Sequence, residues 1–248
     1  MVARFPPPVV PLDVASERLR ERGYAVVDAD SIATLAGSRI DALRTIDTSW
    51  NSLPPDTYLR DGGRYRYRRH SCFVVDGDSI AQAPHRAHWQ PLDYNALHGG
   101  MHRWFEPIGD DVANASGFAG LLHGLGTLFA SIRKEPRWFV EAHQFRIDTA
   151  GGLGRPTPEG AHRDGVDFVA VVMVGRHHIK GGETRVFDAN GPAGERFTLE
   201  EPWSALLLDD TRVIHESTPI QPGDGDDASG HRDTLVLTYR AHAFQGDD

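Results

Sequence analysis

Cysteine is almost missing from this chain: Cys72 is the only one in 248 residues. A single thiol cannot close an intrachain disulfide, and it excludes a metal site built from thiolates alone. Long apolar runs are missing too. No stretch reaches the roughly 18 hydrophobic residues that a membrane-spanning helix needs, so no membrane partner is expected. The first residues, Met1 to Pro8, carry one basic residue but no apolar segment behind it, unlike a secretory signal. These absences point to a cytoplasmic protein. Positive charge is also short. With 26 Lys and Arg against 35 Asp and Glu the formal charge is −9. An acidic chain makes a poor nucleic-acid footprint, so no nucleic-acid partner is expected. Repeats of about 20–50 residues are absent, which excludes solenoids and propellers.

What is present is globular: 40% hydrophobic and 25% charged residues, near the averages for packed domains. A single domain over 1–248 is expected, with a helix-rich part at about 1–135 packed on a β core at 136–242. Asp13 is placed to cap a helix ending at Gly23, with Tyr24 to Val27 as the next strand. A second helix is predicted from about Ser31 to Thr48. The clearest runs from Gly117 to Lys134, where Phe118, Leu121, Leu122, Leu125, Leu128, Phe129 and Ile132 keep a 3.6-residue period. Beyond Pro136 the texture changes to short apolar runs between turn residues: 138–147, 167–174, 184–188, 204–208, 212–217 and 234–239. The fold class is therefore α+β, mainly β, and a jelly roll is the common way for so many short strands to protect their edges.

Within that β half, His162 and Asp164 are two residues apart, so extended backbone sends both side chains to one face. Gly165 then permits a tight turn. With His215 they form two imidazoles and one carboxylate, a donor set that leaves about three positions of a metal free for chemistry. Arg232 and Thr234 share one face of the last predicted strand. A guanidinium beside a hydroxyl makes a clamp for a carboxylate. The run Arg64-Tyr65-Arg66-Tyr67-Arg68-Arg69-His70 alternates in the manner of an edge strand with one wet face. Its second reading is an anion site. The Gly-rich stretch 150–160 enters the metal motif directly and is a candidate flap, and 221–230 is a second such connection. His85 and His88, three apart, are read as surface or packing residues.

The His-x-Asp…His triad with the Arg232-x-Thr234 pair resembles the iron(II)/2-oxoglutarate-dependent dioxygenases. The string Thr157 to Phe168, with His143 to Arg146 before it and Gly181 to Thr184 after it, is similar to the bacterial free L-amino-acid hydroxylases. The resemblance covers about 138–242 well and the first half loosely, through Arg64 to Phe73. It implies a double-stranded β-helix core with helices packed on one side. It further implies Fe(II) at His162, Asp164 and His215, 2-oxoglutarate at Arg232 and Thr234, and O2 as co-substrate. The implied reaction hydroxylates an unactivated C–H of a free aliphatic L-amino acid, or sulfoxidises a thioether such as methionine. Gln144, Arg146, Glu159 and Asp167 are candidate substrate residues. The rival expectations are a peptidyl, carrier-bound or other small-metabolite substrate, and a non-redox metal enzyme or ligand sensor on a cupin-like barrel.

Overall fold

The structure, a computed structural model, describes residues 5–95, 97–224 and 229–247. The residues 225–228 of the second Gly-rich connection, and the start of the N-terminal segment, lie outside them. Among the described residues, five α-helices form the outer layer. They are α1 (Leu12–Arg22), α2 (Ala29–Leu35), α3 (Ile40–Arg44), α4 (Asp110–Ala113) and α5 (Ser116–Arg133). α1 begins at Leu12, so Asp13 falls in its first turn and does not cap it. The long helix expected over 31–48 is broken into α2, α3 and a 3-10 turn at Asp47–Ser52. Gly37, at φ +56, redirects the chain between the first two. No helix among the described residues is long and apolar enough to cross a membrane.

The strands are β1 (Tyr24–Val27), β2 (Arg66–Asp76), β3 (Ser79–Gln82), β4 (Arg137–Asp148), β5 (Phe168–His177), β6 (Ile179–Gly181), β7 (Thr184–Asp188), β8 (Gly194–Phe197), β9 (Ala205–Asp209), β10 (Val213–Ser217), β11 (Ile220–Pro222) and β12 (His231–Arg240). They make a mainly β, antiparallel jelly roll. The large sheet has the order β1-β9-β5-β12-β4-β2-β3, and β10-β7-β8 with β11-β6 form the smaller face. Alternation gives the large sheet two distinct faces. Val140, Ala142, Ala170, Val172, Leu235, Leu237 and Tyr239 bury against Phe118, Leu121, Leu122 and Phe129 of α5. The opposite face packs Val169, Met173, Leu206 and Leu208 on Val186, Phe197 and Val213 of the smaller sheet.

The arginine run is not a wet edge. β2 lies between β4 and β3, and β3 pairs only with Phe73 to Asp76. The rest of its outer edge is covered by chain: Arg68 N–H donates to Pro54 O, Asp56 N–H to Arg66 O and His70 N–H to Glu106 O. Arg66, Arg68 and His70 are consequently buried. The 150–160 connection is likewise pinned. Gly154 exchanges backbone hydrogen bonds with Ile220, and Thr157 Oγ1 donates to Ser217 O.

Candidate active site

The chain at His162 runs extended beside β10, and the His162 and His215 backbones exchange hydrogen bonds of 3.0 and 2.9 Å. Residues paired in this way carry their side chains on one face, so the two imidazoles meet with ring centres 4.6 Å apart. Asp164 turns to the same face. Its Oδ1 lies 3.8 Å from His162 Nε2, and its Oδ2 lies 3.7 Å from His215 Nε2. One ligand-type atom from each of the three falls within 4.8 Å of the others. Gly165 follows at φ +79, and a Cβ there would sit 2.5 Å from the Tyr94 ring.

His162 Nδ1 donates to Gly160 O at 3.0 Å, which leaves the Nε2 lone pair facing Asp164. Burial drives His215 well below the usual imidazole range and lifts Asp164 above the usual carboxylate range. His162 is also pushed down by burial, but Asp164 and Glu159 outweigh that and hold it high. Buried donors of this kind fit a dication, which favours the ionised carboxylate and neutral imidazoles together.

Three side chains that sequence reasoning passed over support this loop. Asp210 Oδ1 accepts the Asp164 N–H at 3.0 Å, and Oδ2 accepts those of Gly165 and Val166 at 2.8 and 3.2 Å. Burial and the charge of Asp164 lift Asp210 to about 7. Gln90 Nε2 donates to Asp164 Oδ1 at 3.3 Å. Gln245 Nε2 donates to the Asp164 and Gly165 carbonyls.

Arg232 and Thr234 line the same cavity as the triad. Both are buried, and Arg232 Nε has no partner. Burial, then the charge of Arg176, lowers the Arg232 guanidinium to about 9. A desolvated cation with a spare donor is suited to an incoming anion. A register shift between Asp233 and Thr234 interrupts the β5–β12 ladder at this point, as bulges beside functional sites do. Arg240, the next arginine along this strand, donates to the Ala243 and Phe244 carbonyls.

Of the four residues expected near a substrate, only Glu159 lines the cavity. Its Oε1 is 3.6 Å from His162 Nδ1, and its Oε2 is buried with no partner. On β4 the cavity face belongs to His143, Phe145 and Ile147, so Gln144 and Arg146 point the other way. Gln144 Nε2 donates to Ser49 Oγ at 2.8 Å. Arg146 grips Asp233 with two hydrogen bonds of 2.8 and 2.7 Å. Asp167 accepts the Ala241 N–H and lies 3.4 Å from Arg133. Alternation revealed two faces of β4 but not which one was inside.

β2 continues the same sheet face beyond β4, with Arg66 and Arg232 both paired to Ile147; with the segment after β3 it adds Arg66, Arg68, His88, Gln90 and Arg103 to the lining. Beneath it His70, His88, Glu141 and His143 converge within 4.8 Å. His88 thus belongs to the cavity wall, not to the surface. Glu141 Oε2 accepts from His70 Nε2 at 2.9 Å and from His88 Nδ1 at 2.7 Å. Burial pushes His88 down to about 3. The two histidines outweigh burial at Glu141 and keep it ionised. Arg68 Nη2 donates to His143 Nδ1 at 2.7 Å. That contact puts the His143 proton on Nε2 and removes the lone pair a metal would use. The group is a hydrogen-bonded prop beneath Arg68, with a buried guanidinium where a dication would need anions.

The 2OG-Fe dioxygenase family matches residues 47–238. The structure of a bsmA homologue from Methylobium petroleophilum PM1 is 53% identical, covers 100% of both chains and superposes with a TM-score of 0.92. IDO from Bacillus thuringiensis is 17% identical over 94% of this chain and 100% of its own, with a TM-score of 0.74. The Fe(II)/α-ketoglutarate-dependent dioxygenase TqaL is 19% identical over 95% and 88%, with a TM-score of 0.72. No curated protein matches this chain.

Proposed function

We propose, from the premise that this chain belongs to the 2OG-Fe dioxygenase family, that it hydroxylates an unactivated C–H of a free aliphatic L-amino acid. Membership brings Fe(II) and 2-oxoglutarate as cofactor and co-substrate. Bound together they supply the oxidant: 2-oxoglutarate loses CO2 to become succinate as O2 is consumed, and one oxygen atom enters the substrate. His162, Asp164 and His215 would hold the iron. The convergence of their donor atoms fits an ion with open positions. Arg232 and Thr234 would hold the far carboxylate of 2-oxoglutarate, which the unpartnered Arg232 Nε fits.

The observation that carries the amino-acid reading is the unpartnered, buried carboxylate oxygen of Glu159 in a cavity that also presents buried arginines. An acceptor for an ammonium and donors for a carboxylate line one enclosure. Val166, Val171 and Val236 add apolar lining for an aliphatic side chain. No protein base is needed. The protein's task is to orient one carbon, for which a displacement of about 1 Å matters. The test is anaerobic purification, then Fe(II), 2-oxoglutarate, O2 and a panel of L-amino acids. Succinate should form together with a product heavier by one oxygen. If only a peptidyl or carrier-bound residue is turned over, the reading fails.

Asp210 acts here as a positioning residue through the Asp164 to Val166 backbone. Asp210→Ala should weaken iron retention by about ten- to a hundredfold, the usual cost of losing a support behind a metal ligand. Competition with a chelator checks this. Retention equal to the parent protein would mean that Gln90 and Gln245 suffice.

A further inference from the structure

We infer that Arg66 and Arg103 form the seat of the substrate's α-carboxylate, facing Glu159 as the acceptor of its α-ammonium, so that the enzyme takes amino acids with both termini unblocked. This rests on the amino-acid reading above. Arg66 commits Nε to Asp56 Oδ2 at 2.7 Å and leaves Nη2 buried without a partner. Arg103 commits Nη2 to Gln90 Oε1 at 2.9 Å and leaves Nε buried without a partner. Gln90 also reaches Asp164, so the same amide ties Arg103 to the metal-binding triad. Both arginines are almost wholly buried, at 5% and 2% exposure, and both line the cavity.

Their charges act on each other. Burial first, and the charge of Arg66 next, bring Arg103 down to about 10. Two desolvated guanidinium groups that repel one another and have donors to spare are relieved by one carboxylate. Arg68, also on this wall, likewise keeps Nε buried without a partner, but the rest of its guanidinium is held in place. The Phe105 and Phe145 rings lie 3.8 and 4.3 Å from its guanidinium carbon, and Nη2 is bonded to His143. Its role is to stiffen the wall, with the Glu141 cluster behind it.

The charges grouped around these arginines balance. Arg66, Arg68 and Arg103 stand against Asp56, Glu141 and Glu159, three cations to three anions. A ligand bearing one charge of each sign at separate ends preserves that balance. An amide or ester lacks the anion and leaves the arginines without it. An N-acyl group lacks the cation and leaves Glu159 Oε2 facing a neutral atom. Unpaired buried charge of this kind is how a site rejects a near relative of its ligand.

Calorimetry on anaerobic protein carrying Fe(II) and 2-oxoglutarate tests this. The panel of L-amino acids is titrated first, then the α-amide and the N-acetyl form of the tightest binder. Each blocked form should bind at least about tenfold more weakly, the scale of one lost charge-assisted hydrogen bond. Arg103→Gln and Arg66→Gln should each weaken the free acid similarly, while the affinity for 2-oxoglutarate stays at the parent value. Should either variant fail to fold, the blocked ligands decide the matter on the parent protein. An amide that binds as tightly as the acid, or folded variants that bind the acid normally, overturns the carboxylate seat and leaves the amino-acid reading standing. A panel in which no free amino acid binds or releases succinate overturns that reading, and this inference with it.

Discussion

Asp164→Ala is expected to end turnover, lowering succinate formation by about a thousandfold or more, equivalent to roughly 4 kcal/mol of barrier. The reason is local. His162 and His215 are held by backbone pairing with each other, so they remain in place, and the only anionic donor among the three is lost. Stability should move the other way. Burial raises the Asp164 carboxyl, so ionising it costs the folded chain. For an acid raised on folding, that cost is absent below its unfolded value and complete above its folded one. Stability with a chelator present should therefore fall as pH rises through that window in the parent protein, and fall less in the variant. At neutral pH the chelated variant should melt at the same temperature or higher. The rise in melting temperature that Fe(II) gives the parent protein should vanish. Full turnover in Asp164→Ala would remove the metal assignment altogether.

The contrast between Asp164 and Asp210 shows where the sequence is readable. A ligand pair two residues apart on an extended segment declares its shared face through a period of two, and a distant partner needs only one strand to return. Six apolar runs after Pro136 appear as β4, β5, β7, β9, β10 and β12 with shifts of a residue or a few at their ends. Asp210 carries no such signal. It acts through three backbone N–H groups that the fold brings to it across more than forty positions of chain. Polar faces were ambiguous for a related reason. Arg66 and Arg68 look like Arg146 in a sequence, charged residues alternating with aromatic ones. Arg66 and Arg68 face the cavity, whereas Arg146 pairs with Asp233 on the helix side. The face is decided by where the second sheet packs, which is long-range information. His88 was similarly hidden, because the segment around it is irregular and is fixed by paired backbone bonds to Arg103.

Arg232→Gln is the second change with a large expected effect, and it separates the two arginine sites of the cavity. Glutamine keeps an amide NH2 but loses the charge and the guanidinium fork. Hydrogen bonds to charged groups contribute roughly 1.5–3 kcal/mol each, so the KM for 2-oxoglutarate should rise by about ten- to a hundredfold. At saturating 2-oxoglutarate kcat should recover, since the far carboxylate is gripped alike before and during reaction. The KM for the amino acid should stay where it was, the reverse of the pattern expected for Arg103→Gln. A shorter 2-oxo acid without the far carboxylate supplies the control. The parent enzyme should strongly prefer 2-oxoglutarate to it, and in Arg232→Gln most of that preference should be gone. Arg240 cannot step in, because its guanidinium is engaged with the Ala243 and Phe244 carbonyls. If Arg232→Gln leaves the 2-oxoglutarate requirement unchanged and Arg103→Gln raises it, the two arginine sites exchange roles: the oxo acid would lie against Arg103, and the substrate against Arg232.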